Sequence, residues 1–408
     1  MKIFADLHIH SSFAGGTSKF ISVEELARTA KLKGLHVLGT GDILLPAWRK
    51  HLLEKLERVD EGTLELGGVR FVPTAEIEDK HRVHHLLLFK DFAQVEELYE
   101  RLKRCSPNID KEGRPRVLLS GAELADILVD LDVAFGPAHA FVPWTSIYKS
   151  FNSLKECYDE HWKRLSFLEL GLSADTYMAD RIAELQELPF LSNSDAHSAY
   201  PHRLGREFNQ LEVEEPTAEQ VVKAVQHRRV TLNAGLDPRE GKYHCTACAR
   251  CKTKFTLEQA QQLNWRCPLC GGTIKKGVRD RIEELATWKE PRHPPFRPKY
   301  YHIIPLTEII QRMYGYSSPT TRAVLKLYEN FVEKLGPETE ILLFKPYEEL
   351  KKVMPEELVE VVRKMREDKL EYIAGGGGQY GVPLLTGKEN IKDKWYSQSQ
   401  QKNLLDFI

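Results

Sequence analysis

The chain has no apolar run approaching the roughly 18 residues that a membrane span needs, so we expect no membrane partner. It also shows no targeting segment, because residues 1–6 run straight into a predicted strand. Cysteine is scarce outside one short segment: five of the seven cysteines lie between Cys245 and Cys270. This clustering argues against a secreted disulfide scaffold and favours the cytoplasm.

An excess of one charge is also absent, since 58 Lys and Arg residues face 59 Asp and Glu residues. That balance hides an asymmetry. Residues 240–305 hold thirteen Lys and Arg against six Asp and Glu, so this segment carries about +7. A basic island in a near-neutral protein is a candidate surface for a polyanion.

With 408 residues the chain can form two or three domains. Strands and helices alternate up to about residue 235, which predicts a parallel sheet, open or closed into a barrel. The predicted strands are 2–6, 36–42, 69–77, 84–89, 133–139, 166–172, 190–195 and 230–234. The helix starts carry capping boxes, at Ser22-x-x-Glu25, Ser120-x-x-Glu123 and Thr217-x-x-Gln220.

The most informative pattern is a pair of segments, Asp6-Leu7-His8-Ile9-His10 and Ser194-Asp195-Ala196-His197. Side chains at positions i and i+2 of a strand project to the same face. His8 with His10, and Asp195 with His197, therefore each form a clamp for a metal ion. A single pair of this kind is more often two ordinary histidines, but two such pairs in one chain favour a metal site.

Other ionisable residues stand near the ends of predicted strands: Asp42, Glu76 and His139. In folds with parallel strands, chemistry gathers at the C-terminal strand ends. Each residue alone could be a helix cap or a hydrogen-bonded loop residue. Together they predict one site, and mixed imidazole and carboxylate ligands suit Zn²⁺ or Mn²⁺.

These segments resemble the ordered motifs of the PHP (polymerase and histidinol phosphatase) metallophosphoesterases over residues 1 to about 235. The further matching segments are Gly39-Thr40-Gly41-Asp42, Thr74-Ala75-Glu76, His85-Leu86-Leu87-Leu88 and Pro137-Ala138-His139. The resemblance implies a distorted (β/α)7 barrel with two or three metal ions, zinc or manganese with added magnesium as a further candidate. It also implies phosphate ester hydrolysis by a metal-activated hydroxide. The implied catalytic metal ligands are His8, His10, Asp42, Glu76, His85, His139, Asp195 and His197.

The chain departs from the family pattern at two places. Asp42 stands where the family commonly has a histidine, and Phe13-Ala14-Gly15-Gly16 lacks an aspartate that many members have after the first clamp. The choice between His84 and His85 also matters, since neighbouring strand residues face opposite ways. We expect His85 to be the ligand, because it matches the family's His-apolar-apolar pattern.

Four cysteines, Cys248, Cys251, Cys267 and Cys270, have the spacing of a structural zinc site. Cys245 offers an alternative first pair with Cys248. We prefer Cys251, because the Lys-Thr-Lys-Phe that follows it is typical of zinc ribbons. Basic and aromatic residues crowd this module and its exit, which favours contact with a nucleic acid.

The last eight residues fit the pattern Gln-x-x-aliphatic-x-x-aromatic-apolar, with Gln401, Leu404, Phe407 and Ile408 at the defining positions. This pattern resembles the peptide by which DNA repair and replication enzymes dock on the sliding clamp of archaea and eukaryotes. A tail that packs back on its own domain is the alternative.

The whole arrangement resembles endonuclease Q, a family of DNA repair nucleases in archaea and some bacteria. This implies a nucleoid-associated enzyme that cuts DNA 5′ to uracil, hypoxanthine, xanthine or an abasic site, with the damaged nucleotide turned out of the duplex. Asn193 and Ser173 are candidates for reading the base. The expected division is 1–235 barrel, 236–290 zinc ribbon, 291–395 helical domain and 396–408 tail.

Two other functions fit parts of the sequence. One is a PHP phosphomonoesterase that acts on small metabolites, against which the ribbon, the basic island and the tail count. The other is a DNA-binding scaffold on the clamp, without catalysis, whose barrel lost a metal with the aspartate missing near Gly15.

Overall fold

The computed structural model describes residues 1–19 and 21–385. The strands are β1 Lys2–Asp6, β2 Val37–Gly39, β3 Glu57–Arg58, β4 Leu64–Leu66, β5 Val69–Val72, β6 Thr74–Glu78, β7 His84–Leu88, β8 Ala134–Pro137, β9 Leu168–Glu169, β10 Phe190–Leu191, β11 Phe208–Glu212, β12 Val230–Gly235, β13 Ala247–Cys248, β14 Ile274–Lys275, β15 Tyr300–His302, β16 Glu371–Ile373 and β17 Val382–Leu384.

The helices are α1 Val23–Lys33, α2 Pro46–Lys55, α3 Phe92–Leu102, α4 Gly121–Asp130, α5 Ile147–Ser150, α6 Leu154–Tyr158, α7 Thr176–Ala179, α8 Ala218–Gln226, α9 Leu257–Gln262, α10 Val278–Leu285, α11 Leu306–Met313, α12 Arg322–Leu335, α13 Glu338–Leu343, α14 Tyr347–Leu350 and α15 Glu356–Arg366. Short 3-10 segments are Asp159–Arg164, Ala183–Leu185 and Pro238–Glu240.

All three predicted caps are present, but only the one at Ser120 is a complete capping box. The side chains of Ser22, Ser120 and Thr217 each accept a hydrogen bond from the backbone N–H three residues later. At Ser120 the bond is reciprocated, because Glu123 accepts from the cap backbone and completes a capping box. These caps start α1, α4 and α8, which pack against the strands of the first half of the chain.

The strands of the first half form a closed, distorted barrel. Eight strands form one sheet in the order β15-β12-β11-β1-β2-β5-β4-β3, and β6-β7-β8 and β9-β10 form two further sheets. Backbone hydrogen bonds continue the ring between sheets, from Ser166 to Phe135 and from Ala140 to Glu169. Asn233 closes it by donating its side-chain amide to the carbonyl of Phe190 on β10.

The strand directions are mixed where alternation predicted a parallel sheet. β1, β2 and β5 run parallel, as do β9 and β10. β6, β7 and β8 are antiparallel neighbours, and β11 is antiparallel to both β1 and β12. The connection from β6 to β7 is only a short turn, too short for the crossover helix that a parallel pair requires.

Two apolar clusters fill the interior. On β1, Ile3 and Ala5 belong to one cluster together with Leu7 just beyond the strand, whereas Phe4 belongs to the other. This alternation buries both faces of the strand. The larger cluster continues without a break into the C-terminal helices, where Ile309, Tyr328 and Val362 are buried.

The C-terminal region packs on the barrel through a strand and a buried ion pair. β15 extends the large sheet by pairing parallel to β12. Lys33, at the end of α1, lies 2.8 Å from the carboxylate of Glu338, and both side chains are only 1% exposed. Lys33 also donates to the carbonyl of Pro201.

The glycine-rich segment after β16 is a hairpin loop packed on the cysteine module. Gly377 has a positive φ of 61°, and a Cβ there would lie 2.3 Å from the carbonyl oxygen of Cys248. Only glycine allows this close approach. Lys252 donates to the carbonyl of Gly377, so the hairpin between β16 and β17 is bonded to the knuckle formed by Cys248 and Cys251.

Among the helices within the described part of the chain, none is both long and apolar enough to cross a membrane.

Candidate metal centre and active site

The two sequence clamps lie side by side at the barrel mouth. Ile9 and Ala196 form a parallel bridge, and the N–H of His10 donates to the carbonyl of Ala196 over 2.9 Å. The rings of His10 and His197 are 4.7 Å apart. Segments separated by almost 190 residues therefore form one surface, as the sequence predicts.

Glu76 on β6 lies at the centre of the grouped side chains. One carboxylate oxygen, Oε2, lies 3.2 Å from His10 Nε2 and 3.7 Å from His8 Nε2. The other oxygen, Oε1, lies 2.8 Å from His139 Nε2 and 2.7 Å from His84 Nδ1. A carboxylate with its two oxygens in two such groups can bridge two cations.

Three groups of donor atoms at the mouth are compact enough to hold a metal ion, with all atoms of a group within 4.8 Å of one another. The groups are His8-His10-Glu76, His10-Asp195-His197 and Glu76-His84-His139. The unpartnered donor atoms of these side chains also support the binding of a metal ion here. The Nε2 atoms of His8 and His10 and the Oδ1 atom of Asp195 are buried without a hydrogen-bond partner. A buried acceptor atom without a partner costs folding free energy unless a hydrogen-bond donor or a cation binds to it.

Each histidine of the first clamp is fixed from behind by a carboxylate. His8 Nδ1 lies 2.9 Å from Glu169 Oε2, and His10 Nδ1 lies 3.0 Å from Asp42 Oδ1. A carboxylate only accepts, so Nδ1 carries the hydrogen and Nε2 presents its lone pair to a metal. Such supporting acids orient the ring and strengthen it as a ligand.

The structure places Asp42 outside the grouped donors. Its Oδ2 accepts hydrogen bonds of 2.6 Å from both the backbone N–H and the hydroxyl of Ser11, while Oδ1 faces His10. Both oxygens are thus engaged away from the grouped donors, and Asp42 belongs to none of the three groups. It positions His10, because it lies behind that ring.

The structure places His84, and not the expected His85, among the grouped donors. His84 lies opposite Glu78 in the β6–β7 pair, with its ring among Glu76 and His139. His85 faces the other side of the sheet, where its Nδ1 lies 2.8 Å from the hydroxyl of Tyr158 and its Nε2 3.3 Å from Asp79. Because neighbouring residues of a strand face opposite sides, His84 faces inward and His85 does not. The apolar residues after His85 do not indicate which of the two faces inward.

The two candidate base-reading residues lie in different settings. Asn193 is 1% exposed; its amide N–H donates to Glu169, and its oxygen accepts from the N–H of Leu7 and from Asn209. It therefore holds Glu169 in place from within the wall, and a role in reading the base stays a prediction. Ser173 is partly exposed, on the loop that follows β9.

Burial and opposite charges act against each other on the central groups. Burial disfavours charge on His8 and His10, yet the carboxylates of Glu169 and Asp42 raise the pKa of these rings well above its ordinary value. Burial likewise opposes ionisation of Glu76 and Asp195, but the surrounding histidines hold the pKa of both acids below the usual range. The site therefore keeps its carboxylates ionised, as a cation site requires.

Sequence patterns missed two residues that lie at this site: Glu169 and Arg114. Glu169 ends β9, and the rule that polar strand ends gather could have found it. Arg114 lies in the loop between α3 and α4, and its Nη1 is 3.2 Å from Glu76 Oε2. A loop residue of this kind has no periodic signal, because only tertiary packing brings it to the mouth.

The cysteine module has the geometry of a zinc ribbon. The Sγ atoms of Cys248, Cys251, Cys267 and Cys270 lie within 4.8 Å of one another, and two of the pairs are 3.5 Å apart. Sulfur atoms around tetrahedral zinc are about 3.8 Å apart, given Zn–S bonds near 2.3 Å. Cys245 is buried elsewhere, with its backbone N–H donating to Gly375.

Not all cations of the basic island face solvent. Arg297 is buried, forms a 3.0 Å ion pair with Asp180 and lies 3.4 Å from the ring centre of Phe190. Arg281 donates to the carbonyls of Tyr148 and Phe151, so it ties the ribbon's exit to the barrel. Lys275, by contrast, is exposed.

Family models match two segments of the chain. Residues 175–230 match the model described as PHP-associated, and residues 305–369 match the MJ0043 C-terminal domain. With the barrel and its histidine–carboxylate mouth, these matches define the class of metal-dependent phosphoesterases of the PHP type. The site binds metal.

Solved structures narrow this class. The chain is 47% identical to the lesion-specific endonuclease PfuEndoQ of Pyrococcus furiosus, with a TM-score of 0.90 over 96% of this chain and 98% of that one. A second structure, endonuclease Q with a 27-mer duplex carrying an abasic lesion at the active site, is also 47% identical, with a TM-score of 0.89 over 97% and 99%. The chain belongs to the endonuclease Q family.

Two curated proteins are also similar. YqxK of Bacillus subtilis is 33% identical over 93% of this chain and 98% of its own length. MJ0043 of Methanocaldococcus jannaschii is 52% identical over 265 residues, which are 64% of this chain. The match spans only 33% of that longer protein.

Proposed function

We propose that the protein is a DNA repair endonuclease that hydrolyses the phosphodiester 5′ to deaminated bases and abasic sites. The observation that carries this proposal is the set of buried, unpartnered donor atoms at the barrel mouth, in a chain aligned over its length with a lesion-specific endonuclease. Uracil, hypoxanthine and xanthine are the proposed bases. The DNA substrate suggests that the enzyme works at the nucleoid.

The proposed metals are two or three zinc or manganese ions at the mouth, with added magnesium as a further candidate, and one zinc in the ribbon. Such ions supply a nucleophile at neutral pH and stabilise charge on a phosphate. The mixed nitrogen and oxygen donors support zinc or manganese at the mouth, and four thiolates support zinc in the ribbon. His8, His10, Glu76, His84, His139, Asp195 and His197 would hold the ions at the mouth.

The wall between barrel and ribbon supports the binding of DNA. A cavity of 470 Å³ lies beside the loop that follows His139, with Trp144, Tyr243, Lys275 and Arg281 among its lining residues. Trp144 is 53% exposed and meets Tyr243 edge to face, with ring centres 5.4 Å apart. Exposed aromatic faces can stack bases, and neighbouring cations can neutralise phosphates. Ser173 remains our candidate for contact with the damaged base.

A direct test uses end-labelled duplexes that carry one uracil, one hypoxanthine, one abasic analogue or no lesion. We expect one cut, 5′ to the lesion, with fragments sized against a ladder and little cutting of the undamaged duplex. His10→Ala is the matched inactive control. Equal cutting of the undamaged duplex, or hydrolysis of 4-nitrophenyl phosphate without any incision of DNA, would contradict the proposal and favour a phosphomonoesterase.

We further propose that the last residues bind the sliding clamp. Gln401, Leu404, Phe407 and Ile408 lie outside the described residues, so this proposal is supported by their spacing alone, which suits a short helical plug. Removal of residues 397–408 should abolish retention of the protein on immobilised archaeal clamp and leave incision of naked DNA unchanged. Retention of the Phe407→Ala variant at the wild-type level would contradict it.

A further inference from the structure

Four contacts position the loop between α3 and α4, and the last two of them join it to the barrel. The hydroxyl of Tyr99 donates to Asp110, and the side-chain oxygen of Asn108 accepts from the N–H of Arg116. The N–H of Glu78, on β6, donates to the carbonyl of Pro115. Loops that carry function are commonly positioned by a rigid scaffold in this way.

The fourth anchor is a glycine. A Cβ at Gly113 would lie 2.4 Å from Oδ2 of Asp42, the acid that fixes His10. The loop backbone therefore lies directly against the wall of the metal centre. Any larger residue at this position would push the loop outward, and Arg114, the next residue, would move with it.

Arg114 reaches the centre of the site from this loop. Its Nη1 lies 3.2 Å from Glu76 Oε2, the same oxygen that lies 3.2 Å from His10 Nε2. The side chain is 29% exposed, so part of it is accessible to solvent. A guanidinium has five N–H donors in a planar fork, and the contact with Glu76 uses only Nη1.

The charges around this guanidinium suit an anionic ligand once cations occupy the site. Arg114 is a cation beside the carboxylate of Glu76. With cations bound at Glu76 and Asp195, the N–H groups that Arg114 does not use for Glu76 would be available to an anion. A fork of this kind matches a phosphate bidentately, which a lysine cannot do.

We propose that Arg114 is a catalytic residue that binds a non-bridging oxygen of the phosphodiester being cut. This inference rests on the proposed function, because it names a residue for that reaction. The guanidinium stabilises the charge that develops on the phosphate, and its loop holds it in position before DNA arrives. Preorganised donors of this kind typically contribute about 100-fold or more in kcat.

The test compares Arg114→Ala, Arg114→Lys and Arg116→Ala in the metal-loaded, full-length protein on the abasic-site duplex. Arg116 is the matched control, because it lies two residues away on the same loop with its exposed side chain near Glu78. We expect Arg114→Ala to lower kcat roughly 100-fold with a small change in KM. Arg114→Lys should keep part of the activity, and Arg116→Ala should stay within about threefold of wild type.

Two further measurements separate contact with the phosphate from a structural role. Metal content per chain and melting temperature should match the wild-type values in Arg114→Ala, and methylguanidinium added to that variant should restore part of the rate. Loss of metal in the Arg114 variants, absence of rescue, or equal losses in Arg114→Ala and Arg116→Ala would overturn the inference. Wild-type protein that fails to cut the duplex would instead overturn the proposed function.

Discussion

At the scale of single residues, the metal centre depends on what stands behind each ligand. His8 and His10 each present Nε2 to the mouth because Glu169 and Asp42 hold the opposite nitrogen. Asp42 lies behind His10 and outside the grouped donors. Ser11 completes the arrangement by donating two hydrogen bonds to the same carboxylate.

The neighbouring histidines on β7 give a sharp test at this scale. We expect His84→Ala to lower the metal content at the mouth and to reduce incision at least 100-fold, because its ring lies among Glu76 and His139. His85→Ala should keep its metal but lower the melting temperature, because Asp79 and Tyr158 lose a buried partner.

Metal analysis, incision kinetics and thermal unfolding of the two variants provide the measurements. If His85→Ala loses metal and His84→Ala retains it, then the inward face of β7 is assigned wrongly.

At the scale of elements, β15 joins the barrel to the C-terminal helices through one histidine. His302 Nε2 lies 3.0 Å from Asp175, which also caps α7, and Nδ1 lies 3.1 Å from Asp368, just after α15. Burial opposes charge on this ring, but the two carboxylates raise the pKa of His302 to about 10. One charged ring thereby connects three elements.

This arrangement predicts a definite pH dependence of stability. The folded pKa of His302 lies above its ordinary value of 6.5. The stabilisation is therefore fully present below about pH 6.5 and is lost as the pH rises through about 10. We expect His302→Gln to lower the free energy of unfolding by roughly 2 kcal/mol at pH 6, and by much less at pH 10.5.

Urea unfolding of the wild type and the variant at both pH values measures the difference. His227→Gln, an exposed histidine at the end of α8, is the control and should change stability little at either pH. An equal loss for His302→Gln at pH 6 and pH 10.5 would argue that packing, and not charge, is what His302 supplies.

At the scale of the whole molecule, barrel, ribbon and helices pack as one body. The larger apolar cluster runs from the barrel helices into α11, α12 and α15. The glycine hairpin between β16 and β17 is hydrogen-bonded to the ribbon. Arg281, on the helix that follows the ribbon, is hydrogen-bonded to the barrel. The division at residues 235, 290 and 395 remains a prediction.

The buried pair of Lys33 and Glu338 tests how strongly the helices are docked on the barrel. We expect Lys33→Met to destabilise the protein by about 3–5 kcal/mol, because it leaves a buried carboxylate without a partner. Adding Glu338→Gln to this variant should recover part of that loss. The exposed pair of Arg28 and Glu329, which also joins α1 to a C-terminal helix, is the matched control.

Equilibrium unfolding in urea gives the free energies for these variants. Arg28→Met should change stability by less than about 1 kcal/mol, because exposed pairs contribute little. Similar small effects at both pairs would mean that the apolar cluster alone holds the helices in place.

Several features of the fold follow from short stretches of sequence. The clamps at His8 and Asp195, the cysteine knuckles and the helix caps each depend on residues a few positions apart, so local strand, turn or helix geometry fixes them. β11 escaped prediction because Asn209 and Gln210 give it a loop-like composition. Its burial depends on an amide network with Asn193 and Asn233, which lie far away in the chain.

The sequence by itself determined that a metal-dependent phosphoesterase barrel of the endonuclease Q family carries a four-cysteine ribbon, because motif spacing and order are local properties of the chain. Tertiary structure alone decided that His84 and not His85 faces the mouth, that Asp42 supports His10, and that Arg114 arrives from a distant loop. The physical reason is that these outcomes depend on strand parity and on packing between remote segments.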